Sequence, residues 1–201
     1  MAGSPDLWSR WGEFQRFDTR GMKGGEALVQ ELNRIVYSSG VSSPVTSKRG
    51  LAARLRYLDS KAGREALKEQ GVSPRTLRSW MRNKGKISPT ARNRDKIDTA
   101  YWNRRRENLI RSGWLARHLD NKGQGRRMEI YPVDQRHVPE SRRRPTLSQR
   151  TITVRYVWGD LVDAWAKKDA DTVDEIWDDV ITDLDSDYGA YAYVSSVGIN
   201  A

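Results

Sequence analysis

The chain lacks cysteine and has very little histidine. None of its 201 residues is cysteine, and only two are histidine, His118 and His137. The absence of cysteine excludes disulfides, thiol catalysis and cysteine-ligated zinc sites, and is typical of a reducing compartment, so we expect a cytoplasmic protein. Two histidines are too few for a histidine-only metal site, and their spacing to serines and acids matches no hydrolytic triad. We therefore predict no cofactor, no metal and no ordinary enzymatic activity.

Long apolar runs are also missing. No stretch approaches the roughly 18 apolar residues that a membrane-spanning helix needs, and the N-terminal residues lack the charged and apolar blocks of a signal peptide. We therefore expect no membrane partner. The apolar fraction is low, at 37%, yet the chain is long enough to bury a core in one domain or two small ones.

The abundant feature is positive charge, and it is unevenly distributed. The 36 basic and 26 acidic residues give a net charge of +10. Residues 1–158 carry +19, whereas residues 159–201 carry −9. A basic body favours a polyanionic partner, and the acidic end indicates a second functional part.

Periodicity predicts a mainly α protein with a small α/β domain at its C-terminal end. Aromatic residues spaced by three and an amphipathic segment at 26–37 predict a helical N-terminal arm. Alternating segments at 151–158 and 190–197 flank two acidic amphipathic helices, which predicts strand–helix–helix–strand. The predicted regions are an arm (1–44), a helix-turn-helix domain (45–118), a basic linker (119–150) and an acidic α/β domain (151–201). The aromatic residues of the arm are Trp8, Trp11, Phe14 and Phe17.

One short segment carries the functional prediction. Gly71 is a typical helix stop, and Ser73-Pro74 is a typical helix start, so a turn joins a helix over 61–70 to one from 74 to about 83. At 100° per residue, the second helix places its apolar side chains (Leu77, Trp80 and Met81) opposite an arc of about 100° that holds Arg75, Arg78, Ser79 and Arg82. This is the layout of a helix-turn-helix, whose second helix enters a major groove. A second Ser-Pro start, Ser88-Pro89, predicts a long basic helix from 89 to about 118.

The residue types on that arc suit DNA. Arginine pairs bidentately with guanine, and serine or threonine binds a base or a phosphate. We predict sequence-preferring binding of double-stranded DNA at the nucleoid, by a transcriptional regulator or a plasmid or phage replicon maintenance factor. A solvated basic helix in an unrelated bundle is the alternative interpretation. The candidate contact residues are Ser73, Arg75, Thr76, Arg78, Ser79 and Arg82, with Lys84 and Lys86 on the phosphate backbone.

The segment Gly-Val-Ser-Pro-Arg-Thr-Leu-Arg-Ser-Trp resembles the helix-turn-helix of many bacterial and phage regulators. Together with Arg-Leu-Arg-Tyr-Leu (54–58) and Lys-Gly-Lys-Ile-Ser-Pro (84–89), it resembles the terminal proteins that cap linear actinobacterial chromosomes and plasmids. That resemblance implies binding to telomeric DNA and a hydroxyl side chain that primes replication. The hydroxyls beside basic residues are Ser141, Thr146, Ser148 and Thr151, and the sequence does not choose among them.

Two other functions remain open. The basic region could bind RNA. Against this interpretation, proteins that bind single-stranded RNA usually present exposed aromatic side chains. The protein could instead be a structural adaptor whose acidic part forms a homodimer, for example by pairing residues 151–158 across subunits, or recruits a basic protein. The acids between 174 and 187 are typical of the polar face of a helix, rather than of a magnesium site.

Overall fold

The structure is a computed structural model that describes residues 21–82, 88–133, 140–142, 147–184 and 189–200. For Met81, Arg82 and Arg142 it describes the backbone only. The aromatic residues of the predicted arm lie outside this range, as do Lys84 and Lys86.

Within the described residues the fold is mainly helical with one small antiparallel sheet, which confirms the predicted mainly α class with a small α/β part. The strands are β1 (Met22–Lys23), β2 (Arg126–Pro132), β3 (Arg150–Val154) and β4 (Tyr193–Ile199). A 3-10 turn covers Glu140–Arg142. The helices are α1 (Gly24–Ser38), α2 (Lys48–Tyr57), α3 (Lys61–Glu69), α4 (Pro74–Arg82), α5 (Ala91–Arg111), α6 (Trp114–Asp120), α7 (Trp158–Lys167) and α8 (Ala170–Thr182).

The chain divides into two compact units. The helical unit comprises residues 36–111, and the mixed unit combines residues up to 35 with those from 112 onward. These units differ from the predicted boundaries, because most of α1 belongs with the C-terminal part. One contact between α1 and the C-terminal part is a hydrogen bond of 3.2 Å from the Trp165 indole to the side-chain oxygen of Asn33. Helix α1 also contributes the buried side chains of Leu28 and Leu32.

In the mixed unit, the strand order is β1-β4-β2-β3, with every neighbouring pair antiparallel. The stretch predicted as a basic linker therefore contains β2, an interior strand. The strand predicted over 151–158 ends at Val154, because the chain turns at Tyr156, whose φ is +67°. Helix α7 then begins at Trp158, whose indole donates to the Val154 carbonyl at 3.2 Å.

The core of the helical unit is formed where α2, α3 and α4 meet α5. Ile97, Ala100, Tyr101 and Trp102 of α5 are buried there. The helix predicted to reach residue 118 is interrupted after Arg111, since the chain passes through a left-handed glycine before α6 begins. In the described ranges no helix combines the length and the apolar character needed to span a bilayer.

Candidate nucleic-acid interface

The turn between α3 and α4 has the geometry of a glycine-terminated helix end. Gly71 has a φ of +71°, a conformation that favours glycine. Its N–H donates to the Lys68 carbonyl at 2.8 Å, and the Val72 N–H donates to the Leu67 carbonyl at 3.0 Å. These two bonds form a Schellman motif. The motif reverses the chain within four residues and directs Val72 into the core, where it is buried.

A side-chain cap begins α4. The Ser73 hydroxyl accepts the backbone N–H of Thr76 at 3.1 Å and is hydrogen-bonded to the Thr76 hydroxyl at 2.8 Å. The prediction that Ser73 caps this helix is therefore confirmed. Both hydroxyls, which were also predicted to contact DNA, already have an intramolecular partner that orders the first turn.

One face of α4 is buried as predicted. Leu77 and Trp80 are 4% and 8% exposed, and they belong to the same core cluster as Leu58, Leu67 and Ile97. The cluster joins α4 to α3 and α5, so the orientation of α4 about its own axis is set by packing. The third predicted apolar residue, Met81, has a side chain outside the described set.

The opposite face presents arginine side chains. Arg75 and Arg78 are exposed. The Arg78 Nε donates to the Pro74 carbonyl at 3.2 Å, which draws the guanidinium toward the first turn of the helix and leaves its Nη groups available. Within the described part of the chain, Arg75 has neither a hydrogen bond nor an ion pair. Ser79 is half-buried, and Arg82 lies in the last turn.

The surroundings of this face are also basic. Helix α4 itself contains three arginines and no acid. The Lys96 ammonium of α5 lies close to the turn, since a Cβ on Gly71 would be 3.3 Å from its Nζ. The exposed Arg92 and the half-buried Arg94 stand on the first turns of α5, where the Arg94 Nε donates to the Pro89 carbonyl at 3.1 Å.

The second basic cluster on α5 has structural roles instead. Arg104 pairs with Glu107 at 2.9 Å. Arg105 donates to the carbonyl of Ser39 and, at 3.1 Å, to its hydroxyl. Burial lowers the pKa of Arg106, although a nearby carboxylate partly opposes this shift. The run of three arginines is therefore partly committed to contacts within the helical unit, whereas Arg75, Arg78 and Arg92 are exposed.

A buried arginine lies in the core of the helical unit, and its burial was not predicted from the sequence. Arg54 of α2 is only 2% exposed and forms an ion pair with Asp98. Its guanidinium also donates to the Ser43 carbonyl at 2.7 Å and lies 5.3 Å from the centre of the Tyr101 ring. The signal was present, because Arg54 occupies a position within the stripe formed by Leu51, Leu55 and Leu58 that helical spacing turns inward.

Metal-ligating side chains form no cluster among the described residues. No group of three or more histidine or acidic side chains is placed there to hold a metal ion. Asp178 and Asp179 are exposed on α8, consistent with the polar face of a helix, whereas Asp185 and Asp187 lie outside the described ranges. The chain matches no protein-family model, no curated protein and no solved structure.

Proposed function

We propose that this protein binds double-stranded DNA with a sequence preference, using α3 and α4 as a helix-turn-helix. The observation that carries the proposal is the two-sided character of α4. Its apolar face is locked into the core by Leu77 and Trp80, and its opposite face offers Arg75 and Arg78 to solvent. A helix held in this way can enter a major groove without losing its packing.

The first turn of α4 is the part that meets the bases. In helix-turn-helix complexes, the N-terminal residues of the second helix contact base edges. Arg75 lies in this turn, and Arg78 is drawn toward it by its bond to the Pro74 carbonyl. Each guanidinium has the planar pair of donors that matches O6 and N7 of guanine. The Ser73–Thr76 cap keeps the turn rigid, so less freedom is lost when the arginines bind.

Non-specific affinity comes from the surrounding cations. Arg92 and Lys96 on α5, together with Lys84 and Lys86 beyond α4, are suited to phosphates. If six phosphates are neutralised, affinity should fall by about three orders of magnitude between 50 and 200 mM salt, because condensed counterions are released on binding. This term attracts any duplex, and only the α4 contacts discriminate between sequences.

We assign the protein to transcriptional regulation or replicon maintenance at the nucleoid, in the cytoplasm. The test begins with selection of bound sequences from a random duplex library. Palindromic sequences would support a dimeric regulator, whereas telomere-like foldback sequences would support a terminal protein with a priming hydroxyl. Failure to enrich any sequence, or tighter binding to RNA of the same sequence, would contradict the proposal.

The second part of the test compares variants on the selected duplex. Arg75→Ala and Arg78→Ala should each weaken specific binding by about 1–3 kcal/mol and relax the preference at one base pair. The matched control is Arg111→Ala, which removes the same charge from an exposed site at the end of α5. The control should weaken all duplexes alike. Equal effects of the three substitutions on selected and scrambled duplexes would refute base contact by α4.

We also propose that the mixed unit is responsible for self-association. It contains the acidic helices α7 and α8 and a sheet that ends in an exposed strand, β3. A homodimer would allow two copies of α4 to read two half-sites. The alternative is recruitment of a basic protein by the acidic surface, and the molar mass of the full chain in solution separates the two.

A further inference from the structure

The outer edge of β3 exposes backbone groups whose direction follows from the ladder. The Asn200 N–H donates to the Arg127 carbonyl at 3.1 Å, so the peptide groups of Arg127 face β4. Residues of an antiparallel strand alternate between its two neighbours. Thr153 pairs with Arg127 and Thr151 with Glu129. Both threonines therefore direct their N–H and C=O groups away from β2, toward the outer edge.

At the opposite edge of the sheet, side chains bond to the outward-facing backbone groups. Beyond the two-residue strand β1, the outward-facing N–H of Ile199 donates to the buried Glu31 carboxylate at 2.8 Å. The Ile199 carbonyl accepts from Arg34 at 3.2 Å. These side chains take the place of a neighbouring strand, which is one way in which proteins protect an edge. Among the described residues, β3 has no strand on its outer side and no side chain bonded to the outward groups of Thr151 or Thr153.

The composition of β3 favours pairing over protection. Its sequence is Arg-Thr-Ile-Thr-Val, with no proline, no glycine and no charge beyond its first residue. The ladder with β2 is regular over all five residues. The side chains of Thr151 and Thr153 are exposed, and Ile152 is half-buried. A short, regular strand rich in β-branched residues is a ready template for another strand.

We propose that β3 pairs with β3 of a second copy of this chain, antiparallel about a two-fold axis at Ile152. This inference rests on the proposed self-association and names the surface responsible. Thr151 then lies opposite Thr153 of the second copy, and the two pairs exchange four backbone hydrogen bonds. Ile152 meets its own counterpart at the close, non-hydrogen-bonded position, which covers its exposed part. The two four-stranded sheets become one of eight strands.

This register is the self-complementary one. A two-fold axis at Ile152 pairs all five residues and places Arg150 opposite Val154, so like charges do not face each other. An axis at Thr151 or Thr153 would move one end of the strand beyond its partner. An axis midway between two residues would place outward-facing groups opposite inward-facing ones and would form no ladder.

The contact is small, which sets the expected strength. A five-residue strand pair covers far less than the roughly 800 Å² per partner of a standard stable interface. We therefore expect a dissociation constant between about 1 μM and 1 mM, for which molar mass must be followed across that range. DNA carrying two half-sites would strengthen the dimer by holding two copies together.

The experiment uses the full chain without DNA. Sedimentation equilibrium across the concentration range gives the molar mass, and residue-resolved hydrogen exchange reports on the edge. In the wild type, exchange of the Thr151 and Thr153 amides should slow by about tenfold or more as the dimer forms. The Ile152 amide faces β2 and should be equally protected at every concentration, so it serves as the internal control.

A proline variant tests the backbone directly. Thr151→Pro removes an N–H that faces outward and takes no part in the ladder with β2, and proline is tolerated in edge strands. It should leave the chain folded, shown by unchanged Ile152 protection, and weaken dimerisation by about tenfold or more. Thr151→Ala keeps the N–H and should dimerise within about threefold of the wild type.

The outcomes separate the two proposals. A dimer that survives Thr151→Pro, together with Thr151 and Thr153 amides that exchange freely in the wild-type dimer, would overturn the β3 interface and leave self-association in place. A monomer throughout the concentration range would overturn both. Binding of selected duplexes is measured separately, so loss of either dimer proposal leaves the test of DNA recognition by α4 unaffected.

Discussion

The buried guanidinium of Arg54 allows a sharp test of what stabilises the helical unit. We consider Arg54→Met, which keeps a long unbranched side chain in the same space and removes the charge and its hydrogen bonds. The substitution leaves the Ser43 carbonyl without its 2.7 Å donor and Asp98 without its ion-pair partner. It also removes a cation from beside the Tyr101 ring.

The size of the destabilisation follows from the interactions that Arg54 loses. A hydrogen bond from a charged donor contributes about 1.5–3 kcal/mol, and we take the lower end for the bond to Ser43. Asp98 is one-third exposed and can be rehydrated, so its pair contributes about 1 kcal/mol. The cation–π contact adds about 0.5 kcal/mol. The free energy of unfolding of the helical unit should therefore fall by about 3 kcal/mol.

The assay must report on the helical unit alone. Hydrogen exchange of the Ile97 and Tyr101 amides does so, because both residues are buried in its core. Arg54→Lys keeps the charge near Asp98 but loses the planar fork, so about half the destabilisation is expected. The control, Arg56→Met on the exposed side of α2, should change stability by less than about 0.5 kcal/mol. A loss below about 1 kcal/mol for Arg54→Met would refute the reasoning.

Two further predictions concern the turn and the mixed unit. Gly71→Ala should destabilise the helical unit by about 1 kcal/mol, because φ is +71°. The same change at Gly159, an exposed helical residue whose added Cβ would meet nothing within 4 Å, should stabilise α7 by about 0.5–1 kcal/mol. Urea denaturation measures the free energy of unfolding of both variants, and a change of the same sign in the two would contradict the conformational argument. Burial, and to a lesser extent the Arg126 charge, lower the pKa of His118. As the pH falls, the unfolded chain therefore binds the proton at a higher pH than the folded chain does. The stability of the mixed unit should therefore decrease as the pH falls below about 6.5, the pKa of histidine in the unfolded chain. The variant His118→Phe can still stack on Trp114 and should lose this pH dependence in thermal denaturation measured across a pH series.

Helix α4 was predictable because its signals are local. The Ser73 cap, the Gly71 stop and the 3.6-residue period that turns Leu77 and Trp80 inward all act within two helical turns. The contribution of Arg54 was harder to predict, since an arginine within a leucine stripe is usually expected to extend toward solvent. Its burial depends on Asp98, 44 residues away in the chain.

The sheet shows the opposite case. Its central strands, β4 and β2, are distant in sequence, since Val197 pairs with Ile130, which lies 67 residues earlier in the chain. Alternation identified a strand near 151 and another near 190, but it carries no information about which strand lies between which others. The residues of β2 were predicted as part of the basic linker, because a seven-residue segment flanked by glycine and proline gives a weak local signal.

The amino-acid sequence by itself determined α3 and α4, the Gly71 stop and Ser73 cap between them, the basic face of α4 and the segregation of charge, since none of these depends on a contact between distant segments. Only the tertiary structure decided that α1 joins the C-terminal sheet, that Glu31 and Arg34 close one edge of that sheet, and that β3 forms the other. The first two features depend on contacts between residues more than 100 positions apart in the chain. The third depends on the pairing of β2 with both β3 and β4, and all three are governed by the packing of the whole unit.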